Sequence, residues 1–242
     1  MRLDLLATER PLAYGAPAAN EWRGTGMAGN GSSLRGRFQD VVTSEAELRE
    51  VVSPPSGKAD AKVISFIDDV AAAFIAQSPF VLIASANADG EMDVSPKGDP
   101  AGFVKVLDEK TVAIPDRVGN RRLDTFRNVV QNPRVGLIFL VPGVNHTLRV
   151  SGTAIIVRDR ALRESMEVKG KLPDHVLVVE VERVLSHCAK CMVRSRLWQP
   201  EAWPDAAGVP TLGEILVAHA GLAETAAEVE TFLEKDTREQ LY

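Results

Sequence analysis

Residues 135–157 read VGLIFLVPGVNHTLRVSGTAIIV: two apolar, β-branched runs, Val135–Val141 and His146–Val157, with four residues between them. A third run of the same kind, His175–Val184, follows. Such runs, bounded by Gly, Pro and Asn, read as strands. Upstream, Phe80–Ala86 is a compact β-rich run, Asn87-Ala88-Asp89-Gly90 a turn, and Glu91–Ser95 alternates. Phe103–Leu107, Asp108-Glu109-Lys110 and Thr111–Ile114 read as a second hairpin. One helical segment intervenes, Asn120 to Gln131, with Leu123, Phe126 and Val130 on one face and Asn132-Pro133 ending it. Successive strands joined by short connections, with a single helix inserted, predict an antiparallel sheet closed into a barrel. A doubly wound parallel sheet is excluded, because it needs a helix between each pair of strands. The expected class is mainly β with flanking helices.

Outside this block the pattern changes. Residues 11–36 hold six of the chain's eighteen glycines with no apolar periodicity, which predicts a flexible leader over residues 1–37. Ser44, with Glu47 three residues on, predicts a capped short helix through about Val52. From Ala61 to Gln77 the residues Val63, Ile64, Ile67, Val70, Ala71, Phe74 and Ile75 recur at three and four, predicting an amphipathic helix stopped by Ser78-Pro79. After residue 188 the strand signal fades. Leu212, Ile215, Leu216, His219 and Leu222, then Val229, Phe232 and Leu233, trace a helical region. The expected division is therefore leader 1–37, barrel domain 38–204 and helical extension 205–242.

Composition narrows the partners. The chain of 242 residues is 45% hydrophobic and 25% charged, as an ordinary globular protein is, and 28 Lys and Arg against 33 Asp and Glu leave a net charge of −5. That balance offers no basic footprint for nucleic acid. No apolar run reaches the length of a membrane span. Asp4 and Glu9 interrupt the start where a signal peptide needs a continuous apolar stretch. With only two cysteines a disulfide scaffold is excluded, and a cytoplasmic setting is expected.

Three segments could carry chemistry. In Ile114-Pro115-Asp116-Arg117-Val118-Gly119-Asn120-Arg121-Arg122 a strand ends, a glycine turn follows, and two arginines open the expected helix. A helix N-terminus favours anions, and cations there are normally disfavoured, so a phosphate would neutralise the site. Equally, Arg121 and Arg122 could pair with Asp116 and Asp124 on a solvated surface, and local sequence leaves both open. In Met92-Asp93-Val94-Ser95-Pro96-Lys97-Gly98, strand alternation puts Ser95 and Lys97 on one face, suited to an anionic or carbonyl-bearing ligand. The plain reading is a strand end with a solvated lysine. Third, Cys188-Ala189-Lys190-Cys191 lacks the further ligands of a zinc site, and His146, His175 and His219 show no ligand spacing, so no metal is expected. The following Arg194, Arg196 and Trp198 could flank a planar, anionic ligand. No P-loop, dinucleotide fingerprint, zincin or nucleophile-elbow motif occurs.

Taken in order, Asp93–Gly98, Ile114–Arg122, Asn132–Phe139 and Thr147–Gly152 resemble the pyridoxamine 5′-phosphate oxidase-like flavoproteins, which fold as an FMN-binding split β-barrel. Within them the chain is most similar to a branch of FMN-dependent enzymes whose H-C-x-K-C-x-x-R-S-x-L-W pattern appears here at His187–Trp198. The resemblance spans roughly Phe38 to Pro204. It implies a homodimer with FMN in a cleft at the subunit interface. Arg121 and Arg122, in the Gly119–Arg122 step that also holds Asn120, would grip the FMN phosphate. The strand of Met92, Asp93, Val94, Ser95 and Lys97 would line the isoalloxazine, with Lys97 near flavin or substrate. Pro115 and Asp116 would lie beside the ribityl chain, Thr147 would reach the flavin from the partner chain, and Arg194, Ser195 and Trp198 would close the site. No catalytic side chain is implied.

The resemblance stops short of one activity. Pyridoxamine phosphate oxidases carry an R-P-x-x-S-Q type segment where this chain reads Arg158-Asp159-Arg160-Ala161-Leu162-Arg163-Glu164-Ser165, and their W-x-x-x-R-L-H-D-R pattern is absent. The expected function is thus an FMN-dependent oxidoreductase acting on a small molecule of another kind. The alternatives are a flavin carrier, a deazaflavin protein, or a barrel holding haem through His146 or His187.

Overall fold

The computed structural model describes residues 34–242, so the leader expected over 1–37 lies outside the described residues except at its last four positions. Those four form a 3₁₀ turn, Leu34–Arg37. The chain divides after Pro54 into two compact units. In the first, α1 (Glu45–Val51) starts as expected, with the Ser44 side chain accepting from the Glu47 N–H.

The second unit, Pro55–Tyr242, is built on seven strands. They are β1 (Phe80–Ala86), β2 (Met92–Gly98), β3 (Lys105–Asp108), β4 (Thr111–Pro115), β5 (Arg134–Leu140), β6 (Thr147–Val157) and β7 (Val176–His187). Helices α2 (Gly57–Ala61) and α3 (Asp69–Gln77) precede β1, α4 (Asp124–Gln131) joins β4 to β5, and α5 (Arg160–Glu164) lies between β6 and β7. Then come α6 (Lys190–Ser195), α7 (Leu212–Ala220) and α8 (Ala226–Glu239).

All seven strands join one antiparallel sheet in the order β2-β1-β5-β6-β7-β4-β3. The barrel is split, as the resemblance implies: β2 and β3 are the edges of the sheet. Pro96 sits in β2, where an edge tolerates a residue without an N–H. The β1–β2 turn forms as read, with Asn87 Oδ1 accepting from the N–H groups of Asp89 (3.0 Å) and Glu91 (2.9 Å). The core lies on the inner face of this sheet, where Val81, Ile83, Leu137, Phe139, Val150, Val179 and Val184 are buried together.

Register shifts between Ser151 and Gly152, with Glu182 the extra residue on β7. This bulge changes the inward phase of β7, so Val179 and Val181 are followed by Val184 in the core. Glu182 is freed to receive Arg134 and the Thr153 hydroxyl (2.9 Å).

Two expected helices come out differently. The one read over 61–77 splits. Ile64 leaves the helix to pair with Val184 (N to O 3.0 Å, and 2.7 Å in return), and α3 begins afresh where the Asp68 carboxylate accepts from the Ala71 N–H at 2.8 Å. Val63 and Val70 therefore do not share its buried face, which is Ala71 and Ile75. The helix read from Asn120 begins at Asp124, because Arg121 (φ 59°) and Leu123 (φ 57°) are left-handed and cannot be helical. Its buried face is Thr125, Phe126, Asn128 and Val129, whereas Val130 is 79% exposed. A buried polar contact, Asn128 Nδ2 donating to Ser85 Oγ at 3.0 Å, sets that rotation, and apolar spacing cannot reveal it.

Gly152 has the closest backbone approach of the described glycines. A Cβ placed there would lie 1.9 Å from the Glu180 carbonyl oxygen, a backbone atom that cannot turn aside. Gly152→Ala is expected to cost at least about 3 kcal/mol of stability, read as a lower urea midpoint at unchanged slope. A midpoint within error of the parent would refute the close approach.

Candidate functional site

The sheet leaves a cavity of about 390 Å³ beside the split edge. It is walled by the inner face of β2, the loop from Asp116 to Leu123, the first turn of α4, the segment Lys171–His175 and Tyr242. That size falls in the ordinary range for a small-molecule site.

Alternation along β2 brings Asp93, Ser95 and Lys97 to one half-buried face, as the sequence predicts, and leaves Met92 and Val94 exposed on the other. Ser95 and Lys97 line the cavity. Asp93 stands behind them, accepting from Ser95 Oγ at 2.9 Å and from Thr125 Oγ1 at 3.3 Å, which fixes the strand to α4. Pro115, buried, ends β4 opposite Val176. Asp116 then turns into the cavity, its N–H donating to the His175 carbonyl at 3.0 Å. Its carboxylate lies 3.8 Å from Lys97 Nζ. Burial pushes the Asp116 carboxyl above its usual range, and Lys97 and His175 pull it part of the way back.

The arginine pair divides. Arg122 Nε donates to Asp124 at 2.7 Å, its side chain is 69% exposed, and it does not line the cavity. For that residue the solvated pairing holds. Its N–H donates to Asn120 Oδ1 at 3.1 Å, which closes the turn. Arg121 and Asn120 do line the cavity, and Arg121 has no acid partner among the described residues. A left-handed arginine is a strained backbone state of the kind that clusters at ligand sites. Arg117 is tied instead to Asp99, Nε to Oδ2 at 2.6 Å, with the Asp99 side chain 1% exposed.

Other expected residues lie elsewhere in this single chain. Thr147 is buried in a smaller cavity of about 170 Å³ with Phe74 and His146. Met92 borders an open groove on the sheet beside Arg134 and Glu182. Arg194 and Ser195 are exposed on α6, Ser195 Oγ donating to the Met192 carbonyl. Trp198 Nε1 donates to the Val144 carbonyl at 2.9 Å. Cys188 and Cys191 are both exposed free thiols. Conversely, Lys171, Asp174, His175 and Tyr242 belong to the cavity, and no local motif marks them. His175 Nδ1 is buried without a hydrogen-bond partner, its ring edge-on to Phe126 at 5.7 Å.

Comparison with known proteins places the chain in a family. Residues 67–188, just over half of the chain, match the family described as pyridoxamine 5′-phosphate oxidase, and the chain belongs to it. That span holds all seven strands and the cavity walls except Tyr242. No curated protein matches. Solved structures with similar folds include HupZ of Group A Streptococcus (21% identity, 49% of this chain and 91% of that one, TM-score 0.40). An FMN-binding protein from Syntrophomonas wolfei (10%, 48% and 81%, 0.38) and the FAD binding protein from Mycobacterium smegmatis (16%, 51% and 97%, 0.36) are also similar. At these identities the likeness concerns the fold alone. Among the described residues no helix is long and apolar enough to cross a membrane.

Asp116 gives the site a pH signature. Its folded value lies above the unfolded one, so its contribution favours folding fully below about pH 4 and is lost as pH rises through the folded value. Asp116→Asn has no charge to desolvate, and is expected to melt higher than the parent at pH 7 but not at about pH 3.5. Equal differences at both pH values would show that burial does not dominate this carboxyl.

Proposed function

We propose that the chain is an FMN-dependent oxidoreductase acting on a small molecule, and that it works as a homodimer with the flavin at the subunit interface. The observation that carries the reading is Arg121, a cation without an acid partner among the described residues, left-handed, at the rim of a partly apolar cavity in a chain of this family.

The donor set suits a flavin mononucleotide. Arg121 supplies the charge-assisted contact for a phosphate, and the adjacent Asn120 a polar neighbour. Ser95 and Lys97 on β2 offer a hydroxyl and an ammonium to the carbonyl and nitrogen edge of a flat ring, while Leu123, Phe126, Leu172 and Pro173 provide apolar wall. Asp116 holds Lys97 in place across 3.8 Å. Bound flavin supplies hydride and electron transfer, and the chain need only bind, orient and exclude water.

Thr147, Arg194, Ser195 and Trp198 do not line the cavity of one chain. In the dimer reading Thr147 of a second copy reaches the flavin, and the Arg194–Trp198 segment closes the site. The protein's own small-molecule substrate is set by what remains of the cavity once the flavin is in place. A cytoplasmic setting agrees with the two free thiols.

The test is the visible spectrum of protein purified without added cofactor, repeated after equilibration with FMN and gel filtration. About one flavin per subunit is expected, and no retained flavin would overturn the reading. Arg121→Ala is expected to weaken FMN binding at least about tenfold, the worth of one charge-assisted bond. Arg122→Ala, already committed to Asp124, is expected to do less. Unchanged affinity in the double variant would remove the phosphate assignment, and a parallel titration with a deazaflavin separates the two cofactors.

A further inference from the structure

Tyr242 lies beyond α8 and outside the family-matched span, yet it is a wall of the cavity. Two independent contacts hold it there. Its hydroxyl donates to Asp99 Oδ1 at 2.7 Å, across 143 positions of sequence. Asp99 is the buried carboxylate that also takes Arg117, so the phenol joins an existing ion pair at the end of β2. On the ring face, Lys169 Nζ stands 4.7 Å from the centroid. Lys169 is itself fixed by a two-residue hairpin, Val168–Lys171, in which Lys169 (φ 51°) and Gly170 (φ 77°) are both left-handed. The same hairpin sets Lys171, without an acid partner among the described residues, at the cavity.

The phenol oxygen and one ring face are thus committed to the protein, and the ring still borders the cavity, whose lining also holds Arg121 and Lys171, two cations without an acid partner among the described residues. We propose that Tyr242 is a ligand-contacting residue: its free face is the wall on which a planar, anionic ligand stacks, and the segment after α8 completes the binding site. This gives the helical region α7–α8 a task, since it carries Tyr242 back to β2. The proposal rests on the flavin reading for the identity of its probe.

FMN titration, followed by quenching of flavin fluorescence, tests it on the full chain. Tyr242→Leu is expected to raise the dissociation constant about fivefold, the worth of an aromatic contact, while Tyr242→Phe, which keeps the ring but gives up its bond to Asp99, falls between the parent and Tyr242→Leu. Affinity in Tyr242→Leu equal to or tighter than the parent's overturns the proposal and leaves the flavin reading standing. A parent that binds no FMN overturns the flavin reading and this stacking role with it. A second measurement guards against a variant that merely misfolds. The chain has two tyrosines, so in Tyr14→Phe the near-ultraviolet titration reports Tyr242 alone. Its phenol is expected to ionise above the ordinary range and to return to it in Asp99→Asn. Ordinary ionisation in the Tyr14→Phe parent would mean that Asp99 does not hold the ring, which also overturns the proposal.

Discussion

A carboxylate taken out of water is costly unless every part of it is paired. Asp99, 1% exposed at the end of β2, meets that demand with two donors from distant parts of the chain, Arg117 Nε on Oδ2 and the Tyr242 hydroxyl on Oδ1. Its N–H is used as well, donating to the Pro79 carbonyl at 3.1 Å. One buried charge therefore joins the edge strand, the loop after β4 and the segment after α8. The cavity lies among these three. The long β6–β7 pair makes the fold, but Asp99 gathers its ends into a site.

The split edge and this carboxylate work together. A fully closed barrel would have used the inner face of β2 for core packing. Left at an edge, β2 can offer Ser95 and Lys97 to a cavity while Pro96 and the outward residues face away. The loop after β4 is strained where it meets that cavity, with Arg121 and Leu123 left-handed. Strain of this kind persists only where neighbouring contacts fix the chain on both sides. Here β4 is held to β7 before the loop, and α4 is held to β1 through Asn128 and Ser85 after it.

The strands were legible because period-two burial leaves a direct trace in composition. Phe80–Ala86 was read to the residue, and β4 to β7 within a few positions. Helix phase was less legible. Around α4 the decisive contact is polar and long-range, and around α3 the bridge between Ile64 and Val184 breaks a continuous apolar pattern. Of the cavity, Ser95, Lys97, Asp116, Asn120 and Arg121 could be found in two local motifs. His175 and Lys171 sit in a loop with no motif, and Tyr242 carries no local signal at all. Whether Arg121 and Arg122 share a role was likewise beyond local reading, since only the fold hands Asp124 to one of them.

By itself the sequence determined the alternation of strands, the hairpin turns, the capping of α1 and the two segments that carry polar groups to one end of the sheet. Each is a local property, fixed by side-chain period, turn chemistry or a cap within four residues. Tertiary structure decided which two strands are the open edges, that Arg121 rather than Arg122 faces the cavity, and that residue 242 returns to residue 99. Those outcomes depend on which distant groups satisfy a buried charge, a bulge or an open edge, and such pairings leave no periodic mark on the chain.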